Sequence, residues 1–231
     1  MLKAQKRPLE KKKRENLKEN TDLKNKDQNP TEVKVDNEKK GTMKTKIRAS
    51  EHLEDFEVRK LLRLLQSEEQ WHYYVLVRLG ISVALRYSDL QNLKWKDIIG
   101  RNYLTIQERK TGKVREIPLS SELVQNLTKI YVKIGSPSKE DKIIPITIRG
   151  VNKQLKVFAS KCGIRGKRIS THSFRKTFGR EVWKRNNYSE ASIVKLSELF
   201  KHSSTSVTRI YLSITKEEIN DLYEIQDLFS L

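Results

Sequence analysis

The sequence predicts a mainly α-helical domain of the α+β class, with one small antiparallel β-sheet, preceded by a disordered basic tail. Three observations carry that expectation. Apolar residues recur at intervals of three and four along most of residues 48–231, the period of helices with one buried face. One pair of short extended runs interrupts the pattern, Tyr103–Gln107 and Val114–Leu119, separated by Lys110-Thr111-Gly112-Lys113, which reads as a hairpin turn. Residues 1–47 hold 15 Lys plus Arg, 8 Asp plus Glu, and no Phe, Trp or Tyr. Such a stretch buries too little apolar surface to offset its ordering entropy, and is expected to be a solvated leader or a nucleic-acid-binding arm.

Within the body, Val58, Leu61, Leu62 and Leu65 form the stripe of a first helix, with Ser50 as its candidate cap. Residues 71–85 are apolar nearly all round, as in a buried helix, and the hairpin follows. Beyond Pro118 and Ser120 the pattern is helical again. Val151, Leu155, Phe158, Ala159 and Cys162 mark one stripe, which makes Cys162 a core residue, and Phe174, Phe178 and Val182 mark the next. Ser189 opens a helix carrying Ile193, Leu196 and Phe200, and Val207, Ile210 and Tyr211 form a short stripe after it. Thr215-x-x-Glu218 is a capping box for a last helix with Leu222, Ile225, Leu228 and Phe229.

A formal charge of +19 over 231 residues points to a polyanionic partner or an acidic substrate. The first 47 residues carry +7, so the body is strongly basic in its own right. The longest apolar run, Tyr73–Val77, ends at Arg78, far short of the roughly 20 residues that span a bilayer. No apolar stretch follows the basic N-terminus as a secretory signal requires, and a single cysteine, Cys162, forms neither an internal disulfide nor a cysteine-based zinc site. An intracellular, cytoplasmic protein is expected, without membrane attachment.

Several polar residues interrupt the apolar stripes. Arg86 ends the buried helix, where a charge needs a partner or a ligand, and Asp89 stands three residues on. Lys110 lies at the hairpin tip, His172 and Arg175 share a helix face at i, i+3, His202 lies near a helix end, and Tyr211 closes a stripe. Each has an ordinary role alone: ion pair, solvated lysine, surface patch, cap, core aromatic. Together they suit metal-free phosphodiester chemistry. Guanidinium forks match phosphate oxygens and stabilise charge developing there, tyrosine is a nucleophile, and lysine and histidine move protons. No acidic cluster or His/Cys spacing suggests a metal, and no cofactor is expected.

In order and spacing these segments resemble the tyrosine recombinases, or phage integrase family. Ala84-Leu85-Arg86-Tyr87-Ser88-Asp89-Leu90 is similar to its first arginine box, and Glu108-Arg109-Lys110-Thr111-Gly112-Lys113-Val114 to the hairpin of its catalytic lysine. Thr171-His172-Ser173-Phe174-Arg175 resembles the His-x-x-Arg box, and Lys201-His202-Ser203-Ser204, with Tyr211 nine residues after His202, the final one. The likeness covers about residues 50–225. It implies that Arg86 and Arg175 clamp a scissile phosphate, that Tyr211 attacks it to form a 3′-phosphotyrosyl link, and that Lys110 protonates the 5′ oxygen. It also implies that His172 takes part in proton transfer, that His202 bonds the phosphate and that Asp89 holds Arg86. Double-stranded DNA is the implied partner and a homo-oligomer, a tetramer, the implied acting form, with the last apolar helix face serving either assembly or ordinary packing.

Three features bear on that implication. Lys201 stands where the family usually has glycine, and Lys113 flanks the same turn as Lys110, as an alternative proton donor or a DNA contact. Arg165, Lys167 and Arg168, just before the His-x-x-Arg helix, are further candidate phosphate contacts. Only 47 polar residues stand where typical members have a core-binding domain, so half of the DNA clamp is expected to be absent. Two other functions stay open: a type IB topoisomerase-like relaxase, and an inactive accessory DNA-binding protein.

Overall fold

A computed structural model of the chain describes residues 49–107 and 112–214. The tail, Lys110 and the capping box at Thr215 with the helix after it lie outside the described residues. The expected class is found. The elements are α1 (Asp55–Ser67), α2 (Trp71–Val83), the short α3 (Tyr87–Leu90), a 3₁₀ turn at Trp95–Asp97, strands β1 (Tyr103–Gln107) and β2 (Val114–Pro118), then α4 (Ser121–Lys133), α5 (Ile148–Lys161), α6 (Thr171–Arg185), α7 (Glu190–Phe200) and α8 (Thr205–Leu212). The strands pair antiparallel with Tyr103 opposite Pro118 and Gln107 opposite Val114.

Most helices start where a side chain accepts one of the N–H groups that a helix N-terminus leaves unbonded. Ser120 Oγ accepts from Leu123, Thr147 Oγ1 from Gly150, and Ser189 Oγ from Ser192. The first helix differs from expectation: Glu54, not Ser50, is its cap, and the Glu57 carboxylate closes the box by accepting the Glu54 N–H at 2.7 Å. Cys162 caps α5 and is half-buried against the core rather than within it.

Two apolar clusters form. The larger joins α1 to α5 and the sheet, with Leu65, Val75, Leu104, Leu127, Val151 and Phe174 among its buried members. The smaller gathers Ala84, Trp183, Ile193, Leu196, Phe200, Leu212 and Ile214 around α6, α7 and α8. Helix α6 contributes to both, through Phe174 and Trp183 respectively. Gly80 lets α2 lie close to it, because a Cβ there would stand 2.8 Å from the Phe174 Cβ. On α8 the expected stripe holds at Tyr211, which packs on the smaller cluster, but Val207 and Ile210 are exposed, while Thr208 and Leu212 face inward. Among the described residues no helix is long and apolar enough to cross a membrane.

Candidate active site

The end of α7 organises the site. Lys201 adopts the left-handed conformation, φ 55° and ψ 48°, and the His202 N–H turns back to the Ser197 carbonyl at 3.0 Å. This closing turn leaves the Phe200 carbonyl without a helical partner, at the negative end of the helix dipole. Both predicted arginines fill the need: Arg86 Nη2 and Arg175 Nη2 each donate to the Phe200 oxygen at 3.1 Å.

The turn that carries Arg86 comes from the opposite side. Ala84 leaves α2 with φ 53°, and Arg86 takes an extended backbone as the N-cap of α3. That geometry also turns the Ala84 carbonyl toward α6, where it accepts from Arg175 Nη1. Arg175 is 4% exposed, and its guanidinium carbon lies 4.4 Å from the Phe200 ring centroid. Two carbonyls and an aromatic face thus compensate a charge whose burial is otherwise costly. Asp89, also buried, donates its backbone N–H to the Arg86 carbonyl at 3.0 Å.

Tyr211 enters from α8. Its ring packs edge-on against His202 at 5.0 Å and Phe200 at 5.6 Å. Its hydroxyl oxygen is buried and makes no hydrogen bond of good geometry among the described residues. Burial raises the phenol's pKa, and the nearby Arg175 and Arg86 charges, with a long hydrogen-bonding approach of Arg175 to the hydroxyl, offset only part of that rise. His202 is held by Thr208, with Nδ1 2.9 Å from the buried Thr208 Oγ1. His172 occupies the first turn of α6, at the exposed rim of the cluster. Its pKa is lowered from 6.5, first by partial burial of the ring and then by the charges of Arg175, Lys176 and Arg86.

The described candidates therefore fall into two sets. Arg86, Asp89, His172, Arg175, His202 and Tyr211 lie around α6 and the ends of α2 and α7. Lys113, Arg165 and Arg168 are exposed elsewhere, on the hairpin and on the loop before α6. Lys167 departs from expectation: its ammonium turns into the body and bonds the buried Glu57 carboxylate at 2.6 Å, with Glu54 at 3.9 Å. A buried acid at the start of α1 takes the charge that a phosphate was expected to meet. Sequence reasoning missed Lys176, which follows Arg175 and is 5% exposed, its Nζ 5.0 Å from the centroid of the Tyr211 ring. Two adjacent cations on a helix ordinarily read as a solvated face. Among the described residues no group of three or more His, Cys, Asp or Glu is placed to hold a metal ion.

Residues 51–218 match the phage integrase family, and the chain belongs to that family. It is 28% identical over 176 residues to the probable integrase/recombinase YoeC of Bacillus subtilis (strain 168), spanning 73% of this chain and 91% of that protein. With the tyrosine recombinase XerA of Pyrococcus furiosus it shares 28% identity over 187 residues, 76% of this chain and 62% of that one. The fold is that of the XerH site-specific recombinase in a post-cleavage complex with palindromic difH substrate: TM-score 0.60, 19% identity, 78% of this chain and 54% of the other. The chain thus spans most of the Bacillus relative but only about half to two thirds of the other two.

Proposed function

We propose that the chain is a site-specific DNA recombinase that cuts and rejoins strands through a 3′-phosphotyrosyl intermediate. The observation that carries this is the buried Tyr211 hydroxyl beside two guanidiniums, Arg86 and Arg175, that share the Phe200 carbonyl. The guanidiniums bind the non-bridging oxygens of a scissile phosphate and stabilise the charge of the pentacoordinate transition state. The Tyr211 oxygen forms a bond to phosphorus as the bond from phosphorus to the 5′ oxygen breaks. Its proton passes to His172, neutral at pH 7 because its pKa is lowered. Lys110 donates a proton to the departing 5′ oxygen, His202 bonds the phosphate, and Asp89 positions Arg86 through the turn they share. A 5′-hydroxyl from another strand reverses the step without an external energy source, because the phosphotyrosyl bond retains the energy of the one broken.

Double-stranded DNA is the substrate, met by a basic body on whose surface Arg165, Arg168 and Lys113 are exposed. Recombining two duplexes breaks four strands, and each chain supplies one nucleophile, so a homotetramer is the acting form.

A nicked suicide duplex, whose short 5′ fragment diffuses away after cleavage, tests the proposal. The wild-type chain should accumulate a covalent adduct, Tyr211→Phe should form none, and Arg175→Ala should slow the reaction by about 10²–10³-fold. Sequencing the trapped ends reports the site and the polarity. Relaxation of supercoiled plasmid without site preference would mark a relaxase instead, and salt-sensitive binding with no adduct an accessory protein.

A further inference from the structure

We propose that Lys176 is a positioning residue for strand cleavage: its buried ammonium holds the face of the Tyr211 ring and so sets where the phenol oxygen stands relative to Arg86 and Arg175. This rests on Tyr211 being the nucleophile, as proposed above.

The inference starts from one side of α6. Arg175, Lys176, Gly179 and Arg180 stand at i, i+1, i+4 and i+5, so they project over a single sector of the helix. Each serves α8 or the site beside it. Gly179 leaves room for Leu212, whose Cδ2 would lie 2.7 Å from a Cβ at that position. Arg180 Nη1 donates to the Leu212 carbonyl at 3.2 Å, which ties the carboxyl end of α8 to α6. Lys176 sits between these and Arg175, with Nζ 5.0 Å from the Tyr211 ring centroid.

The backbone of α8 is thus fixed by Arg180 and Gly179, but its tyrosine still has rotatable side-chain bonds. Phe200 and His202 meet the ring edge-on. Lys176 is the cation over its face, and a desolvated ammonium there is attracted by the ring quadrupole. The charge is costly where it stands: burial lowers the lysine's pKa, with Glu51 the acidic group that opposes the shift. An apolar residue of similar length would fill the space without that cost. What the ammonium adds is an orienting interaction with the side chain that reacts. Arg175 is the hydroxyl's neighbour at one end of the side chain, and the contacts to the ring, Lys176 among them, set how the rest of it is turned.

The test compares single-turnover adduct formation on saturating suicide duplex for the wild-type chain and the variants Lys176→Met, Lys176→Gln and Lys176→Arg, with DNA affinity measured alongside. Lys176→Met and Lys176→Gln should slow adduct formation by about 10–100-fold while affinity changes less than about twofold, as expected for a misplaced reacting atom. Lys176→Arg, which also binds an aromatic face, should recover the rate to within about fivefold. The slowing should persist on a duplex with a 5′-bridging sulfur, a leaving group that needs no protonation. Wild-type rates in both neutral variants overturn the proposal. Loss of the defect on the sulfur substrate also overturns it, because Lys176 would then serve the leaving group rather than the nucleophile. Should Lys176→Met fail to fold, as read by circular dichroism, the Gln and Arg variants decide. Tyr211→Phe separates the two ideas: an adduct that survives it sinks the nucleophile assignment itself, whereas an adduct lost with Phe yet unchanged with Gln sinks only the role of Lys176.

Discussion

Tyr211 is held with its proton on across neutral pH, since burial outweighs the two arginine charges beside it. A base is therefore needed, and the lowered pKa of His172 keeps its ring neutral and receptive. The sign is definite: the neutral imidazole is the form above the pKa, so a lowered pKa extends activity toward acid. The midpoint of the acid limb of adduct formation should lie below pH 6.5, the ordinary histidine value, whereas His172→Asn should be slower and lose that limb. At Lys201 the sequence shows a departure from the family's glycine, and the structure shows why glycine suits that position, a left-handed turn with φ 55°. A side chain there is strained, so Lys201→Gly should stabilise the fold by about 0.5–1 kcal/mol, read as a rise in Tm, with the turn unchanged.

Two glycines decide how the elements approach one another, and they make separable predictions. A Cβ at Gly80 would meet Phe174 between α2 and α6, whereas one at Gly179 would meet Leu212 and Phe200 beneath α8. Both alanine variants should lose about 1–3 kcal/mol of stability through overpacking. Only Gly179→Ala should also slow adduct formation at a temperature where both variants are folded, because it displaces the helix that carries Tyr211. Thermal melts and single-turnover cleavage check the pair. At this scale the longer helices and the hairpin were legible from apolar spacing and turn residues, whereas the four-residue α3 was too short to show a period. The orientation of α8 was not. Its three apolar residues suggested one buried stripe, yet Thr208 is buried because it holds His202, and Ile210 faces outward.

Across the molecule, the two arginines and the tyrosine meet within one chain, so each protomer should cut with its own nucleophile. Mixing Arg175→Ala chains with Tyr211→Phe chains should then give no more adduct than the slower Arg175→Ala chain gives alone. Clear recovery in the mixture would mean that the tyrosine acts on a neighbour's phosphate.

The amino-acid order by itself determined the helical class, the hairpin, the basic character and the six residue types suited to phosphate chemistry. These depend on local periodicity and on side-chain chemistry, both of which a linear reading contains. Tertiary structure alone decided that the Ala84 and Phe200 carbonyls anchor the arginines, that Lys176 is buried under the tyrosine, and that Lys167 answers Glu57. Those partners lie 91 residues apart for Arg175 and Ala84, 114 for Arg86 and Phe200, and 110 for Lys167 and Glu57. The direction of a carbonyl and the burial of a charge are set by such distant neighbours, and no short stretch of sequence encodes them.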